Sequence, residues 1–354
     1  MRLGLNVRKS MKVLKVTCAV FIVMCVVAMC SLFIQKVYMY VFTETKIDLF
    51  NCQIDSNNLE KGFETWLVNE RILRTVFDEA RLVSEFSKTV MVTIVNAAYV
   101  PFAFSWLCNT QSMGIHSSIL VLSTSDSARN ELKMRWPDIR VVSLNLSISD
   151  AKQDYSTVEY VKIMIHRAEL FKALLNAGHE VMLFEFDYVW FENPLPRLQK
   201  MNDVDMLVNP VSGTDKTVIN GGLIYLFPTE KTKSLWAQLT CKLQELVKEL
   251  RELQSSSAVS ESTNDQTFLS GLWRAGYANI SSRELSLDDF ADGQWYTTPE
   301  EDRKLWNPVM ISNNWVIGND RKIERAKEFG HWFLKDDGQS CDIHQVSKTI
   351  RMKT

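Results

Sequence analysis

The stretch VMLFEFDYVWFENPLP, Val181 to Pro196, limits what this chain can fold into more than any other, because an uninterrupted apolar run ends there on two carboxylates. Val181, Met182, Leu183 and Phe184 read as a short strand covered on both faces, the pattern of a parallel sheet flanked by helices. Glu185 and Asp187 follow at its carboxyl end, and residues i and i+2 of an extended chain point the same way. In open α/β sheets ligands bind in the crevice beyond the carboxyl ends of the strands. Two hard oxygen ligands there suit a divalent cation, Mn2+ or Mg2+, with Asp187 the expected direct ligand. The plain alternative is an exposed loop with two solvated acids.

Other segments supply the rest of such a sheet. VMVTIV (Val90 to Val95), SILVLS (Ser118 to Ser123) and IRVVSL (Ile139 to Leu144) read as buried strands separated by helical or loop segments, which predicts an α/β, largely parallel arrangement. Leu59 to Phe86 carries Phe63, Trp66, Leu67, Ile72, Leu73, Val76 and Phe77 at helical spacing. A helix is predicted from Val158 to Asn176, with Gly178 as its left-handed cap. Arg167 lies on its apolar stripe. A buried guanidinium is costly unless paired, so it either snorkels outward or points at an anion.

Further on, MLVNP and SGTDKT lead to INGGLIYLFP, where Asn220, Gly221 and Gly222 precede a strand. Paired glycines let a ligand approach the backbone, and Asn offers a donor and an acceptor to hydroxyls; an ordinary turn is the bland reading. The leucines at 239, 243, 246, 250 and 253 make Thr232 to Leu253 an amphipathic helix. SSSAVSES, residues 255–262, reads as a flexible loop that delivers Asn264, Asp265 and Gln266 to the next helix start, where Asn or Asp otherwise serve as caps.

The amino-terminal segment sets a location. Val16 to Ile34 holds nineteen residues without a charge, about 28 Å as a helix and close to a bilayer's hydrocarbon thickness. Arg2, Arg8, Lys9, Lys12 and Lys15 precede it, so the positive-inside bias keeps residues 1–15 cytosolic and makes 16–34 an uncleaved signal anchor with the remainder across the membrane. A cleaved signal peptide would have a shorter apolar region followed by small residues, whereas Gln35, Lys36, Val37 and Tyr38 form an interfacial flank. On this reading 35–87 is a stem and leading helix, 88–345 the lumenal domain and 346–354 a tail. Cys18, Cys25 and Cys30 lie inside the span, leaving Cys52, Cys108, Cys241 and Cys341 for two disulfides in any of three connectivities. No cysteine has zinc spacing. Asn145 and Asn279 begin glycosylation sequons that matter only on the lumenal side. The net charge of −2 gives no reason to expect a nucleic-acid partner, and no basic stripe is visible beyond the juxtamembrane residues.

In this order, the segments resemble the nucleotide-diphospho-sugar transferase domain of glycosyltransferase family 77, from about Val90 to Trp332. Glu185-Phe186-Asp187-Tyr188-Val189-Trp190 stands at the family's acidic motif, Asn220-Gly221-Gly222 at its NGG strand, Asp265-Gln266 at a pair placed near the anomeric centre in related enzymes, and Ser312-Asn313-Asn314-Trp315 with Gly318 at its late segment. The resemblance implies a GT-A-type, Rossmann-like, mostly parallel sheet flanked by helices. It also implies a sugar-nucleotide donor, a glycan or glycoprotein acceptor, manganese, retention of anomeric configuration, and membership of the Golgi type II transferases.

The chemistry fits those residue types independently. Breaking a sugar–diphosphate bond builds negative charge on the departing oxygen, which a metal held by carboxylates and nearby cations, here Arg167 or Lys322, would stabilise. A polar group at the anomeric carbon, Asp265 or Gln266, would support oxocarbenium character. Two departures stand out: Glu185 where the family has Asp, and Ser312 where it has a metal-binding His. Together they leave open an active transferase or a catalytically impaired lumenal protein that binds a sugar nucleotide or serves as a scaffold.

Overall fold

β1 (Thr89–Val95) is buried along nearly its whole length because it lies inside a sheet and is covered on both faces, as its unbroken apolar run requires. This computed structural model describes residues 68–146, 148, 157–214, 216–254, 257–260 and 263–351. The expected anchor, Cys52 and most of the stem lie outside them; among the described residues no helix is long and apolar enough to cross a membrane.

The large sheet has seven strands in the order β3-β2-β1-β4-β7-β6-β8. β1, β2 (Ile119–Ser123), β3 (Arg140–Ser143) and β4 (Glu180–Phe184) are mutually parallel. Beyond β4 the sheet turns mixed: β7 (Ile219–Leu226) is antiparallel to both β4 and β6 (Met206–Pro210), while β8 (Ser282–Glu284) is parallel to β6. Six of the seven strands thus run the same way, and the expectation of a mostly parallel sheet holds with β7 as the one reversed strand. The reason is connection length: residues 211–218 join β6 to β7, closed by Val211 N–H to Val218 O at 2.9 Å, which suits a hairpin and is too short for a crossover. A small second sheet sets β10 (Met310–Ser312) between β5 (Tyr188–Trp190) and β9 (Phe290–Ala291).

Helices cover the large sheet. α1 (Glu70–Ser84) buries Val76, Ala80 and Val83, and α2 (Val100–Thr110) and α3 (Asp126–Arg135) follow β1 and β2. α4 spans Val158–Asn176, as the periodicity predicts, and Gly178 has φ 89° just beyond its end. α4 packs on α6 (Glu230–Leu250) after the short α5 (Leu195–Leu198): Phe171 stacks on Trp236 at 5.8 Å, and the Trp236 indole donates to Ala168 O. α7 (Asp265–Arg274), the one-turn α8 (Gln294–Thr297) and α9 (Glu300–Arg303), and α10 (Asn319–Glu328) complete the core. α11 (Ile343–Arg351) buries Val346 and Thr349, so the folded part runs through residue 351.

An aromatic cluster braces the acidic strand from behind. Trp106 of α2 meets Phe184 at 4.8 Å and Trp190 edge-on at 5.0 Å, and each such side chain is worth about 3–5 kcal/mol on truncation. Asn109, fully buried, bonds both the N–H and the C=O of Trp190 at 2.9 Å, fixing where β5 begins its return. Cys108 and Cys341 form a disulfide that ties α2 to the carboxyl-terminal segment, and Cys241 is disulfide-bonded as well.

Candidate active site

A cleft of about 540 Å³ opens beyond the carboxyl ends of β1 and β4, where the acidic strand end points. It is walled by Asn96 and Tyr99 after β1, Glu185 after β4, Asn220 to Gly222 of β7, Asp265 and Gln266 of α7, and the segment from Asn314 to Lys322. Because β7 runs antiparallel to β4, its beginning, not its end, reaches this edge.

Glu185 and Asp187 do not share one face of a strand. β4 stops at Phe184, and a turn closed by Tyr188 N–H to Glu185 O at 3.2 Å separates them. The Glu185 side chain is 39% exposed at the cleft, whereas that of Asp187 is 1% exposed beneath it. Lys322 Nζ sits 2.5 Å from Asp187 Oδ2; Oδ1 is buried without a hydrogen-bond partner. Burial opposes the Lys322 charge, but Asp187 and Glu185 together outweigh it and hold the ammonium above an ordinary lysine. Tyr99 is pushed well above its usual phenol range by burial and then by both carboxylates.

Arg167 points at an anion, as one of its two readings required. Its side chain, 5% exposed, bonds Asp265 and lies 3.6 Å from Glu185. Desolvation works against the guanidinium, yet Asp265 and Glu185 raise its pKa overall. Glu185 is raised by burial and by Asp187, against Arg167 and Lys322. Two cations thus face three carboxylates. Asn264 is the cap of α7, accepting from Thr267 N–H at 2.8 Å, which leaves Asp265 for Arg167.

The Asn220-Gly221-Gly222 segment lies within β7, and its side chain and glycines serve the protein's own groups first. Asn220 donates to the Tyr188 phenol and accepts from Gly222 N–H, both at 3.0 Å. A Cβ on Gly222 would lie 2.8 Å from Glu185 Oε2, and one on Gly221 3.2 Å from Gln266 Oε1, which accepts from Gly221 N–H at 3.0 Å. The glycines therefore let Glu185 and Gln266 press against the strand. Ser312, buried, pairs with Tyr188 across β5 and β10 and hydrogen-bonds its phenol. It is held back from the cleft.

The late segment is braced from below. Asn313 N–H donates to Asp187 O at 3.2 Å and its amide to Lys322 O at 2.9 Å, while Arg325 holds Asn313 Oδ1 at 2.7 Å and also Asn314 O. Gly318, at φ 98°, turns the chain into α10 and brings Lys322 inward. Asn96, Tyr99 and Thr124 were not singled out from the sequence. Their one available signal is position, directly after the first two strands of a parallel sheet.

The sequence profile of the family described as nucleotide-diphospho-sugar transferase matches residues 114–326, well over half of the chain. The chain belongs to that family. As a nucleotide-diphospho-sugar transferase it is a glycosyltransferase drawing on a nucleotide-sugar donor. Among curated relatives, UDP-D-xylose:L-fucose alpha-1,3-D-xylosyltransferase 1 of Arabidopsis thaliana is 23% identical over 279 residues, 74% of this chain and 75% of the relative. Beta-arabinofuranosyltransferase RAY1 of the same plant is 21% identical over 287 residues, 73% of this chain and 50% of the relative. Among solved structures, the glycosyltransferase GlyE of Streptococcus pneumoniae TIGR4 superposes with a TM-score of 0.43 at 9% identity, covering 75% of this chain and 65% of GlyE.

Proposed function

We propose that this glycosyltransferase works in the Golgi lumen as a type II protein anchored by residues 16–34. On this reading a GT-A-type site moves a pentose or hexose from a nucleoside diphosphate to a glycan or glycoprotein, with retention of configuration. The observation that carries the reading is the meeting of Glu185, Arg167, Asp265 and Lys322 in one cleft beyond the sheet's carboxyl ends, all four within the matched residues. The names of the relatives favour UDP and a pentose. Asn145 and Asn279 are both exposed, as glycan acceptors must be.

The donor's diphosphate is the anion that Lys322 suits, supported by Arg167, and fixed positive charge beside the departing oxygen lowers the barrier. Glu185 and Asp187 would hold Mn2+ or Mg2+; the unpartnered, buried Asp187 Oδ1 is an acceptor that a hard cation fits. Such an ion supplies Lewis-acid stabilisation of the leaving diphosphate. At the sugar end, Gln266 is fixed through Gly221, and Asp265 places a negative charge that favours oxocarbenium character. Asp265 is bound to Arg167, so electrostatics suits it better than proton transfer.

One observation favours a second reading. Asp187 is already paired with Lys322 and Asp265 with Arg167, and among the described residues no group of three His, Cys, Asp or Glu could hold a metal. Such a cleft could bind a sugar nucleotide without turning it over. Release of nucleoside diphosphate from a panel of sugar nucleotides with Mn2+ separates the two. UDP-xylose should be turned over fastest; binding without release supports the second reading, and no binding rejects both. In sealed microsomes the domain should resist protease, and digestion without detergent would reject the topology.

A further inference from the structure

Arg325 stands behind the cleft wall rather than in it: the wall runs from Asn314 through Asn319 to Lys322, and Arg325 is not part of it. Its guanidinium lies 4.3 Å from the centre of the Tyr296 ring, and among the described residues it donates to Asn313 Oδ1, at 2.7 Å, and to Asn314 O. None of these partners is a carboxylate. A half-buried cation bonded to neutral groups carries a desolvation cost that an apolar side chain would avoid, so its use lies in what those groups hold. Asn313, 2% exposed, donates its N–H to Asp187 O at 3.2 Å and its side-chain amide to Lys322 O at 2.9 Å. Arg325 bonds the oxygen of that amide, which keeps the nitrogen turned toward Lys322. Lys322 and Arg325 are also neighbours on α10, at i and i+3, so one guanidinium ties the helix to the segment that crosses it. That segment is held under strain: Trp315 has φ 68°, which bulky residues rarely adopt and which persists only where the surroundings impose it. Arg325 on Asn314 O and Gly293 N–H on Asn314 Oδ1, at 2.5 Å, impose it from two sides.

We infer that Arg325 is a positioning residue for the transfer reaction: acting through Asn313, it fixes where the Lys322 ammonium and the Asp187 carboxylate stand beneath the donor's diphosphate. The inference rests on the donor reading above. Lys322 Nζ is 2.5 Å from Asp187 Oδ2, a separation at which a small shift of either main chain changes the charge presented to the cleft. Asn313 holds the main chain of both partners, so freeing its amide loosens the pair without removing a charge from it. Arginine suits this place because its planar fork bonds two acceptors at once in a fixed geometry, which an ammonium does not. Charge on the departing diphosphate grows toward the transition state, so a misplaced Lys322 lowers turnover more than it weakens donor binding.

The test uses the full chain, with UDP as the binding probe and UDP-xylose as the donor. Arg325→Met, which keeps an apolar stem on the Tyr296 ring, and Asn313→Ala should each weaken UDP binding about tenfold in calorimetry, and the double variant no further, because both break one linkage. Arg325→Lys, which keeps the charge and one hydrogen bond, should lose about threefold. In turnover by Arg325→Met, kcat should fall about a hundredfold while KM rises less than about tenfold. Hydrogen exchange should quicken in residues 312–322 of Arg325→Met, while peptides from β1 and β4 exchange as in wild type. Losses that multiply in the double variant overturn the proposal, since Arg325 would then act on the diphosphate itself. So do a kcat and UDP affinity within about twofold of wild type in Arg325→Met, or exchange that quickens uniformly across the fold. Wild type that neither binds UDP nor cleaves UDP-xylose rejects the donor reading, and this inference with it; wild-type binding with unaffected variants rejects the inference alone.

Discussion

Replacing Lys322 by methionine removes the ammonium 2.5 Å from Asp187 Oδ2 and strands a carboxylate that is 1% exposed and already lacks a partner on Oδ1. Breaking a buried ion pair costs about 3–5 kcal/mol. The Lys322 side chain is 18% exposed, so the lower figure applies. For a domain of this size about 3 kcal/mol lowers Tm by about 6 °C. If Asp187 faces a metal, however, the vacated Oδ2 becomes a second oxygen for it, and Mn2+ at a hundred times its Kd would return about 2.7 kcal/mol. The assay is thermal unfolding of wild type, Lys322→Met and Lys322→Met/Asp187→Asn, each in EDTA and in excess Mn2+. The single variant should melt low in EDTA and recover most of the loss with metal. The double variant, having no stray charge, should melt near wild type and ignore Mn2+. An unrescued single variant, or a double variant that responds equally to Mn2+, would refute the assignment of Asp187.

Two further outcomes follow from packing and burial. Gly222→Ala puts a methyl 2.8 Å from Glu185 Oε2, a flexible side-chain end, so the fold should survive with a loss under about 2 kcal/mol while turnover falls at least tenfold; wild-type rates would mean that the position of Glu185 is immaterial. Burial holds His331, bonded to the Tyr296 phenol, at about 3 against its usual 6.5. Its contribution is complete above pH 6.5, where neither state is protonated, and is lost as pH falls toward 3 because only the unfolded chain takes the proton: about 2 kcal/mol is gone by pH 5. His116 and His166, each lowered to about 4 by burial, steepen the same slope. Urea unfolding at pH 7.5 and 5 should show a shallower slope for His331→Gln, and an unchanged slope would contradict the burial argument.

What the sequence revealed and what it concealed divide along physical lines. α4 and the parallel strands were legible because periodicity and continuous apolar runs are local properties, whereas for Arg167 the sequence left snorkelling and an anion equally open and only the contact with Asp265 decides. The reversal of β7 was hidden, since INGGLIYLFP is apolar enough for either direction and only the hairpin's length decides. The i, i+2 argument for Glu185 and Asp187 failed because the strand ends one residue earlier and a turn intervenes. Asn220, Gly221 and Gly222 line the cleft, yet they first accommodate Tyr188, Glu185 and Gln266. The Lys322–Asp187 pair joins residues 135 apart in sequence, a contact no local pattern announces.

Cleavage of a nucleotide sugar in the cleft over Asp187 is the proposal on which the other readings of the site depend. The most direct measurement is the rate of UDP release from UDP-xylose in Mn2+ by wild type and by Asp187→Asn, with melting temperature and UDP affinity recorded for both. Expected are release by wild type, a loss of at least a hundredfold in the variant, and a melting temperature lower by no more than about 6 °C, since the substitution removes the 2.5 Å partner of the Lys322 ammonium, which keeps Glu185 nearby. Equal release by the two proteins would contradict it.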